Sequence, residues 1–312
     1  MQIIEKRGLR LSKLTLGTVQ LGSAYGIANR SGKPDEEQSF RLLNRAIEGG
    51  ITCFDTAGAY GDSENVLGNF FSERDKPLFI SKIKLTADPK TEPLDVEREM
   101  YDNVQTSLQR LQTEKIPVMM LHNPDVLQIH GKTVTACFQR LLKEGLVDKA
   151  GVSFGANIDE QFEQVWTIAQ DDLYETVQIP LNVLDHRLIK NKGLSRLKQA
   201  GKIVFARSVF LQGLLFLLPE NLSQHFQEAS KAIRMLRSLA EKEGMELAQL
   251  AVSFVRDLQE VDSVVIGAES EEQVRNNLDL IGGPSLSEYS RTRIMETIGQ
   301  LPDKILNPAL WP

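Results

Sequence analysis

Eight short apolar runs, most of them about thirty residues apart and separated by amphipathic segments, constrain this chain more than any other feature. They fall at 14–16, 51–54, 78–81, 116–121, 147–153, 176–178, 203–206 and 263–266. Helical spacing of apolar residues fills the intervals near 62–71, 94–111, 132–144, 159–169 and 190–200, and in two pairs near 224–243 with 246–258 and 271–281 with 287–299. The first helix opens at Pro34-Asp35-Glu36-Glu37, carries Phe40, Leu43, Ala46 and Ile47 as its apolar positions, and stops at Gly49-Gly50.

Strand and helix in strict alternation require parallel strands joined by helical crossovers. Eight such units predict an α/β fold closed into a (β/α)8 TIM barrel, with a doubly wound open sheet as the competing arrangement. Ile3-Ile4 and Leu9-Arg10-Leu11 flank Arg7-Gly8, the pattern of a small β-hairpin that caps one end of the barrel. No Pro-, Gly- or Ser-rich linker interrupts the pattern, so residues 1–312 are expected to form one domain.

A net charge of −6 and the absence of any basic run argue against nucleic acid as a partner. No stretch approaches the roughly 20 apolar residues that span a bilayer, so no membrane partner is expected. Cys53 and Cys137 are the only cysteines and read as reduced core residues. His130, His186 and His225 lack metal-ligand spacing, so no metal site is expected. These features together predict a cytoplasmic protein; a small-molecule partner and a monomer or small homo-oligomer are separate expectations.

The ends of the strands carry the chemistry. Asp55, Lys82 and His122 terminate the second, third and fourth runs, and Tyr60 lies in the loop after the second. In a barrel these exits converge on one mouth. A phenol with a solution pKa of roughly 10 donates its proton more readily when an ammonium stabilises the phenolate. Lys82 can provide that charge, Asp55 can hold the ammonium, and His122 can donate to a carbonyl oxygen. Each residue also has a plainer role: Asp55 as a helix cap, Tyr60 as a loop aromatic, Lys82 as a solvated cation and His122 as a core histidine. A lysine beside a tyrosine at a strand end also suits a Schiff-base aldolase using Lys82, although Asp55 beside it favours the protonated amine. A weakly catalytic regulatory module is the third possibility.

The chain resembles the aldo-keto reductase superfamily. The resemblance runs from Leu16-Gly17-Thr18 through Phe54-Asp55-Thr56-Ala57-Gly58-Ala59-Tyr60-Gly61, Lys82, Leu121-His122, Gly151-Val152-Ser153 and Gln178 to Gly267 and Asn277. It implies a carbonyl reductase with Tyr60 as general acid, Lys82 and Asp55 as its tuning pair, His122 orienting the carbonyl, and NAD(H) or NADP(H) as hydride donor. Gly17, Thr18 and Asp55 would lie against that cofactor. Ser153 and Gln178 match positions that hold the nicotinamide carboxamide. Arg207 stands where relatives often have a stacking aromatic, and Ser208, Leu211 and Gly213 would offer a hydroxyl and backbone amides to the pyrophosphate. Gly267, Glu269, Gln273 and Asn277 match the adenosine-binding segment.

Relatives that prefer the phosphorylated cofactor commonly carry Arg or Lys where this chain has Glu269, so the resemblance leans toward NAD(H). Arg275 is the counterweight. Gln20, Tyr25 and Trp311 are candidates for the substrate mouth by position, Trp311 doubling as a tail anchor, and Asn182 and Arg187 remain ambiguous. The polar loops 18–33, 123–131 and 179–193 suggest a hydroxylated carbonyl substrate, such as a sugar or polyol ketone.

Overall fold

The computed structural model describes residues 1–27 and 32–312. An antiparallel hairpin of β1 (Ile3–Lys6) and β2 (Leu9–Ser12) comes first, turned by Arg7 and Gly8 at φ of 50° and 80°. Then follow β3 (Leu14–Gly17), β4 (Cys53–Asp55), β5 (Leu78–Ile83), β6 (Ile116–Leu121) and β7 (Val147–Ser153). The set is completed by β8 (Tyr174–Pro180), β9 (Ile203–Arg207) and β10 (Ser263–Gly267). These eight strands, β3 to β10, pair in parallel and close into a barrel in chain order, with β10 returning to β3. Closure decides for the barrel and against the open sheet.

Helices α1 (Val19–Gly22) and α2 (Glu36–Glu48) lie between β3 and β4, and α3 (Ser63–Phe70), α4 (Pro93–Leu111) and α5 (Val126–Lys143) follow β4, β5 and β6. After β7 comes α6 (Ile158–Ala169), and after β8 the short α7 (Arg187–Lys190) and α8 (Gly193–Gln199). Two helices, α9 (Ser230–Lys242) and α10 (Leu247–Arg256), precede β10, while α11 (Glu271–Gly282), α12 (Glu288–Thr297) and α13 (Asp303–Leu306) come after it.

Strand side chains alternate between two cores. Cys53, Ile80, Val118, Met120 and Phe205 fill the barrel interior together with Leu11 from the hairpin, whereas Phe54, Phe79, Met119 and Val204 pack outward against the helices. The hairpin is tied to the amino-terminal mouth. Lys6 Nζ donates to the Lys202 carbonyl at 2.7 Å and pairs with Asp262 at 2.8 Å, and Lys13 Nζ donates to the Val261 carbonyl at 2.6 Å. With that end plugged, the loops at the opposite mouth are left for chemistry.

Several local features differ from the sequence-based expectations. The buried face of α2 is Ser39, Leu42, Leu43 and Ala46; Ile47, expected to be apolar-facing, is exposed, because it lies one helical step past the seam that Ala46 occupies. Helix α5 starts at Val126, six residues before the expected 132, with a kink at His130. The expected helix near 190–200 is two short ones, separated where Lys192 adopts a left-handed φ of 64°. Of the expected substrate loop 18–33, residues 28–31 lie outside the described residues.

Candidate active site

The register of adjacent strands assembles the four strand-end residues. Asp55 pairs with Ile80, so Lys82, two residues further along β5, faces the same interior side as Ile80 and rises beside the carboxylate. Lys82 Nζ donates to Asp55 Oδ1 at 2.7 Å, to the Thr56 carbonyl at 2.9 Å and to the Tyr60 hydroxyl at 3.5 Å. The ammonium also lies 4.9 Å from the Tyr60 ring centroid. His122, directly after β6, meets Tyr60 edge to face with ring centroids 5.6 Å apart.

Burial and charge act on this group in opposite directions. Burial pushes Lys82 down, yet the Asp55 carboxylate and the Tyr60 hydroxyl more than offset it, and its pKa is raised above the ordinary lysine value. An amine whose pKa is raised is a poorer nucleophile, which counts against the Schiff-base reading. His122 moves the other way. Burial, then the positive charges of Lys82, Arg207 and Lys84, lower its pKa to about 3, so its imidazole is neutral at physiological pH. Its Nδ1 is buried without a hydrogen-bond partner among the described residues.

Ser153 and Gln178 extend the network. Gln178 Nε2 donates to Asp55 Oδ1 at 2.6 Å, and Ser153 Oγ donates to Gln178 Oε1 at 3.3 Å. The two residues therefore form one chain with the acid-base group.

The loop that carries Tyr60 is clamped from the side of β3. Thr18 Oγ1 donates to the Asp55 carbonyl at 2.8 Å, Ser63 Oγ donates to the Thr18 carbonyl at 2.9 Å, and Thr56 Oγ1 donates to Ser63 Oγ at 3.0 Å. Gly22 crosses the loop so closely that a Cβ there would stand 1.6 Å from the Tyr60 carbonyl oxygen. Gly61, at φ 55°, faces Gly22 in return, and a Cβ on it would meet the Gly22 carbonyl at 2.4 Å. Sequence reasoning missed Gly22, Thr56, Ser63 and the buried Glu64. The glycine pair was the one visible signal.

A cavity of about 620 Å³ opens over this group. Asp55, Tyr60 and His122 line one end, and Glu269, Gln273 and Asn277, on and just before the first turns of α11, line the other. Gly17 and Gly267, paired across β3 and β10, form the floor, and Thr18 and Gln20 lie beside them. A Cβ on Gly267 would stand 2.5 Å from the Gln20 amide. Arg207, Ser208 and Gly213 form part of the wall, joined by Tyr25, whose hydroxyl accepts from Gln212 Nε2 at 2.9 Å. Lys82, Ser153 and Gln178 are buried and lie outside the set of lining residues.

Some expected site residues take other roles. Leu211 is buried off the cavity wall and its N–H donates to the Ser208 carbonyl at 2.9 Å, while the Gly213 N–H donates to the Phe210 carbonyl at 3.0 Å. Positive φ at Ser208, Leu211, Gln212 and Gly213 winds this segment into tight turns, so the two amides expected to face a pyrophosphate are committed internally. Arg207 is fixed by Nη1 to Ser208 Oγ at 2.9 Å and by Nη2 to the Phe154 carbonyl at 2.7 Å. Asn277 Nδ2 donates to the Gly267 carbonyl at 3.1 Å, and Gln273 Oε1 accepts from the Glu269 N–H at 2.8 Å.

Trp311 is an anchor. Its ring packs on Phe226 at 5.0 Å and its Nε1 donates to the Ile305 carbonyl. Arg187 is buried in a bidentate pair with Asp185 and also reaches Asp303, and Asn182 Oδ1 caps the Leu184 and Asp185 amides. The polar character of loop 179–193 is thus largely internal. His130, His186 and His225 each bind a backbone carbonyl, and no cluster of metal-ligand type occurs among the described residues. No helix in the described residues is long and apolar enough to cross a membrane.

Comparison with known proteins bears on this geometry. The model of the aldo/keto reductase family matches residues 13–298. An uncharacterized oxidoreductase of Bacillus subtilis (strain 168), YrpG, is 29% identical over 163 residues, which is 47% of this chain and 47% of that protein. The match thus spans about half the length of this relative. Two solved structures share the fold. Glycerol dehydrogenase AKR11B4 from Gluconobacter oxydans has a TM-score of 0.71 at 23% identity, over 96% of this chain and 97% of its own. The holo form of aldo-keto reductase AKR11C1 from Bacillus halodurans has a TM-score of 0.72 at 21% identity, over 95% of each chain.

The neutral histidines make stability pH-dependent. Burial lowers His186 to about 4 and His122 to about 3 from the ordinary 6.5, so the unfolded chain takes up protons that the folded one refuses, and stability falls as pH drops through 6.5. At pH 5 the loss is expected to reach about 1–2 kcal/mol for His186 alone. Thermal unfolding between pH 7.5 and 5 should show a falling Tm, with a shallower slope in His122→Asn. A flat profile across that range contradicts the assignment of neutral imidazoles.

Proposed function

The chain belongs to the aldo/keto reductase family, and from that premise we propose that this NAD(P)-dependent oxidoreductase reduces an aldehyde or ketone to an alcohol with Tyr60 as its general acid. The supporting observation is the single ammonium of Lys82, which bonds Asp55 on one side and reaches the Tyr60 hydroxyl on the other at the edge of the cavity.

A nicotinamide dinucleotide suits the donor set and shape of the cavity. Gly17 and Gly267 leave a floor without side chains, amides of Gln273 and Asn277 stand at the far end, and the acid-base group stands at the near end. The reduced dinucleotide, when bound, supplies the hydride. Tyr60 donates its proton to the substrate oxygen as negative charge develops there, and Lys82 stabilises the phenolate left behind. Asp55 keeps Lys82 charged and oriented. His122, neutral, carries one N–H that can orient the carbonyl. Ser153 and Gln178, buried behind the lining residues, hold Asp55 in place, and only the capacity left beyond that chain would be offered to the nicotinamide amide. Arg207 and Ser208 serve the ring and pyrophosphate, and Glu269, Gln273 and Asn277 the adenosine.

The substrate in this reading is a small hydroxylated carbonyl compound, because Gln20, Tyr25 and Gln212 bring amides and a phenol to the cavity wall beside Val19, Phe210 and Phe216. Tyr60→Phe is expected to lower kcat by roughly 10²- to 10⁴-fold and to leave the Kd for the reduced cofactor within about twofold, since the hydroxyl matters only as the oxygen gains charge. Stopped-flow turnover and fluorescence titration measure both. A loss below tenfold assigns the proton to another group.

The cofactor preference in this reading is NAD(H). Glu269 belongs both to the main cavity and to an adjoining one of about 500 Å³, which also holds Glu271, Glu272, Arg41 and Arg275. Arg41 is already paired with Glu37. A carboxylate near a 2′-phosphate costs on the order of 1 kcal/mol at surface dielectric, whereas it can accept from a free 2′-hydroxyl. NADH should bind more tightly than NADPH, and Glu269→Arg should shift the ratio toward NADPH by about tenfold. Tighter NADPH binding by the unmodified protein, or no shift on substitution, overturns this preference.

A further inference from the structure

A carboxylate lies buried behind the proton-donating group, where the roles assigned above make no use of it. Glu64, in the first turn of α3, is wholly excluded from solvent. One of its oxygens accepts from Ser81 Oγ at 2.6 Å. The other, Oε2, is buried with no hydrogen-bond partner among the described residues, and the Arg110 guanidinium stands off at 3.7 Å. A buried carboxylate with half its acceptor capacity unused is unfavourable, and a neutral side chain of similar shape would avoid that penalty. The charge therefore calls for a role.

Its contacts suggest one. Ser81 precedes Lys82 on β5, and because strand side chains alternate, Ser81 meets Glu64 outside the barrel while Lys82 points inside. Arg110, drawn toward Glu64 from α4, donates through Nη1 to the Gly58 carbonyl at 3.3 Å. Gly58 is two residues before Tyr60, and its N–H donates to the Lys82 carbonyl at 3.1 Å. Gly58 lies between the same groups: a Cβ there would be in ordinary contact, 4.0 Å from Glu64 Oε2 and 3.7 Å from the Lys82 carbonyl oxygen. One carboxylate thus braces the strand that bears Lys82 and, through Arg110, the loop that bears Tyr60.

We propose that Glu64 is a positioning residue for proton donation: together with Arg110 and Ser81 it sets the separation between Lys82 Nζ and the Tyr60 hydroxyl. That separation, 3.5 Å, stands at the outer limit of hydrogen bonding, so a shift of a few tenths of an ångström uncouples the pair. Misplacement of reacting groups by about 1 Å can cost roughly 10²-fold in rate. Glu64 is buried and does not line the cavity. The role rests on the proposed reductase reading, with Tyr60 as acid.

The test is Glu64→Gln, which keeps an acceptor for Ser81 but releases Arg110, with Ser81→Ala as a second variant that leaves the carboxylate in place. In Glu64→Gln, kcat for glyceraldehyde with NADH should fall about 10- to 100-fold, its pH profile should move, the Kd for NADH should stay within about twofold, and Tm should hold or rise. Ser81→Ala should show a smaller fall in kcat with the Kd for NADH likewise held, and a lower Tm because the buried carboxylate loses its hydrogen bond from Ser81. Amide hydrogen exchange over residues 56–61 should quicken in both, a readout independent of turnover. A kcat within threefold of the unmodified protein, or a loss matched by equal losses of cofactor affinity and Tm, overturns the proposal. An unmodified protein that turns over no carbonyl compound, while exchange still quickens in the variants, overturns the reductase reading and leaves the brace standing.

Discussion

The ion pair between Lys82 and Asp55 is the interaction on which the rest of the mouth depends. Both side chains are almost wholly buried, and two charges removed from water are stabilising only when their geometry is good and their remaining donors and acceptors are met. Here they are met. The ammonium has the Thr56 carbonyl and the Tyr60 hydroxyl in addition to the carboxylate, and the same carboxylate oxygen takes the Gln178 amide. Removing either ion would strand the other in the barrel mouth, so the pair and the fold around it stand or fall together.

Strand pairing explains why the pair can form. Parallel neighbours β4 and β5 set Asp55 against Ile80, and the two-residue period then brings Lys82 to the same interior side. The hairpin plugs the opposite mouth with Leu11, which leaves the carboxyl ends of the strands as the open face. On that face the Tyr60 loop is trapped between Gly22, the Thr18 and Ser63 hydroxyls, and the Arg110 contact to Gly58. Packing at backbone distance there rigidifies the phenol, and rigidity at the donor is what lets a 3.5 Å approach have a defined chemical meaning.

The parts legible from sequence are those governed by local period. Apolar runs such as Ile116 to Leu121 announce strands, and Asp55, Lys82 and His122 announce themselves because an ionisable residue ending a buried run is unusual. The parts that were not legible depend on contacts between distant segments. Whether Ile47 or Leu42 faces the core depends on the angle at which α2 meets the barrel, and the inward turn of Arg187 depends on Asp185 and the distant Asp303. The amides of Leu211 and Gly213 looked free because nothing in the residue types signals the run of positive φ that folds them inward. Glu64 reads from sequence as an ordinary first-turn carboxylate, and only the packing of α3 against β5 and α4 shows it to be buried.

The central claim is that Asp55 keeps Lys82 charged despite complete burial, and direct titration of that amine tests it. Heteronuclear NMR of the Lys82 ammonium across pH 6 to 11 should show a group still protonated at the ordinary lysine pKa of 10.5 and above, because the Asp55 carboxylate and the Tyr60 hydroxyl outweigh desolvation. In Asp55→Asn the same amine should titrate well below that value. An unmodified protein whose Lys82 loses its proton below pH 9 would contradict the account and return the nucleophilic amine to consideration.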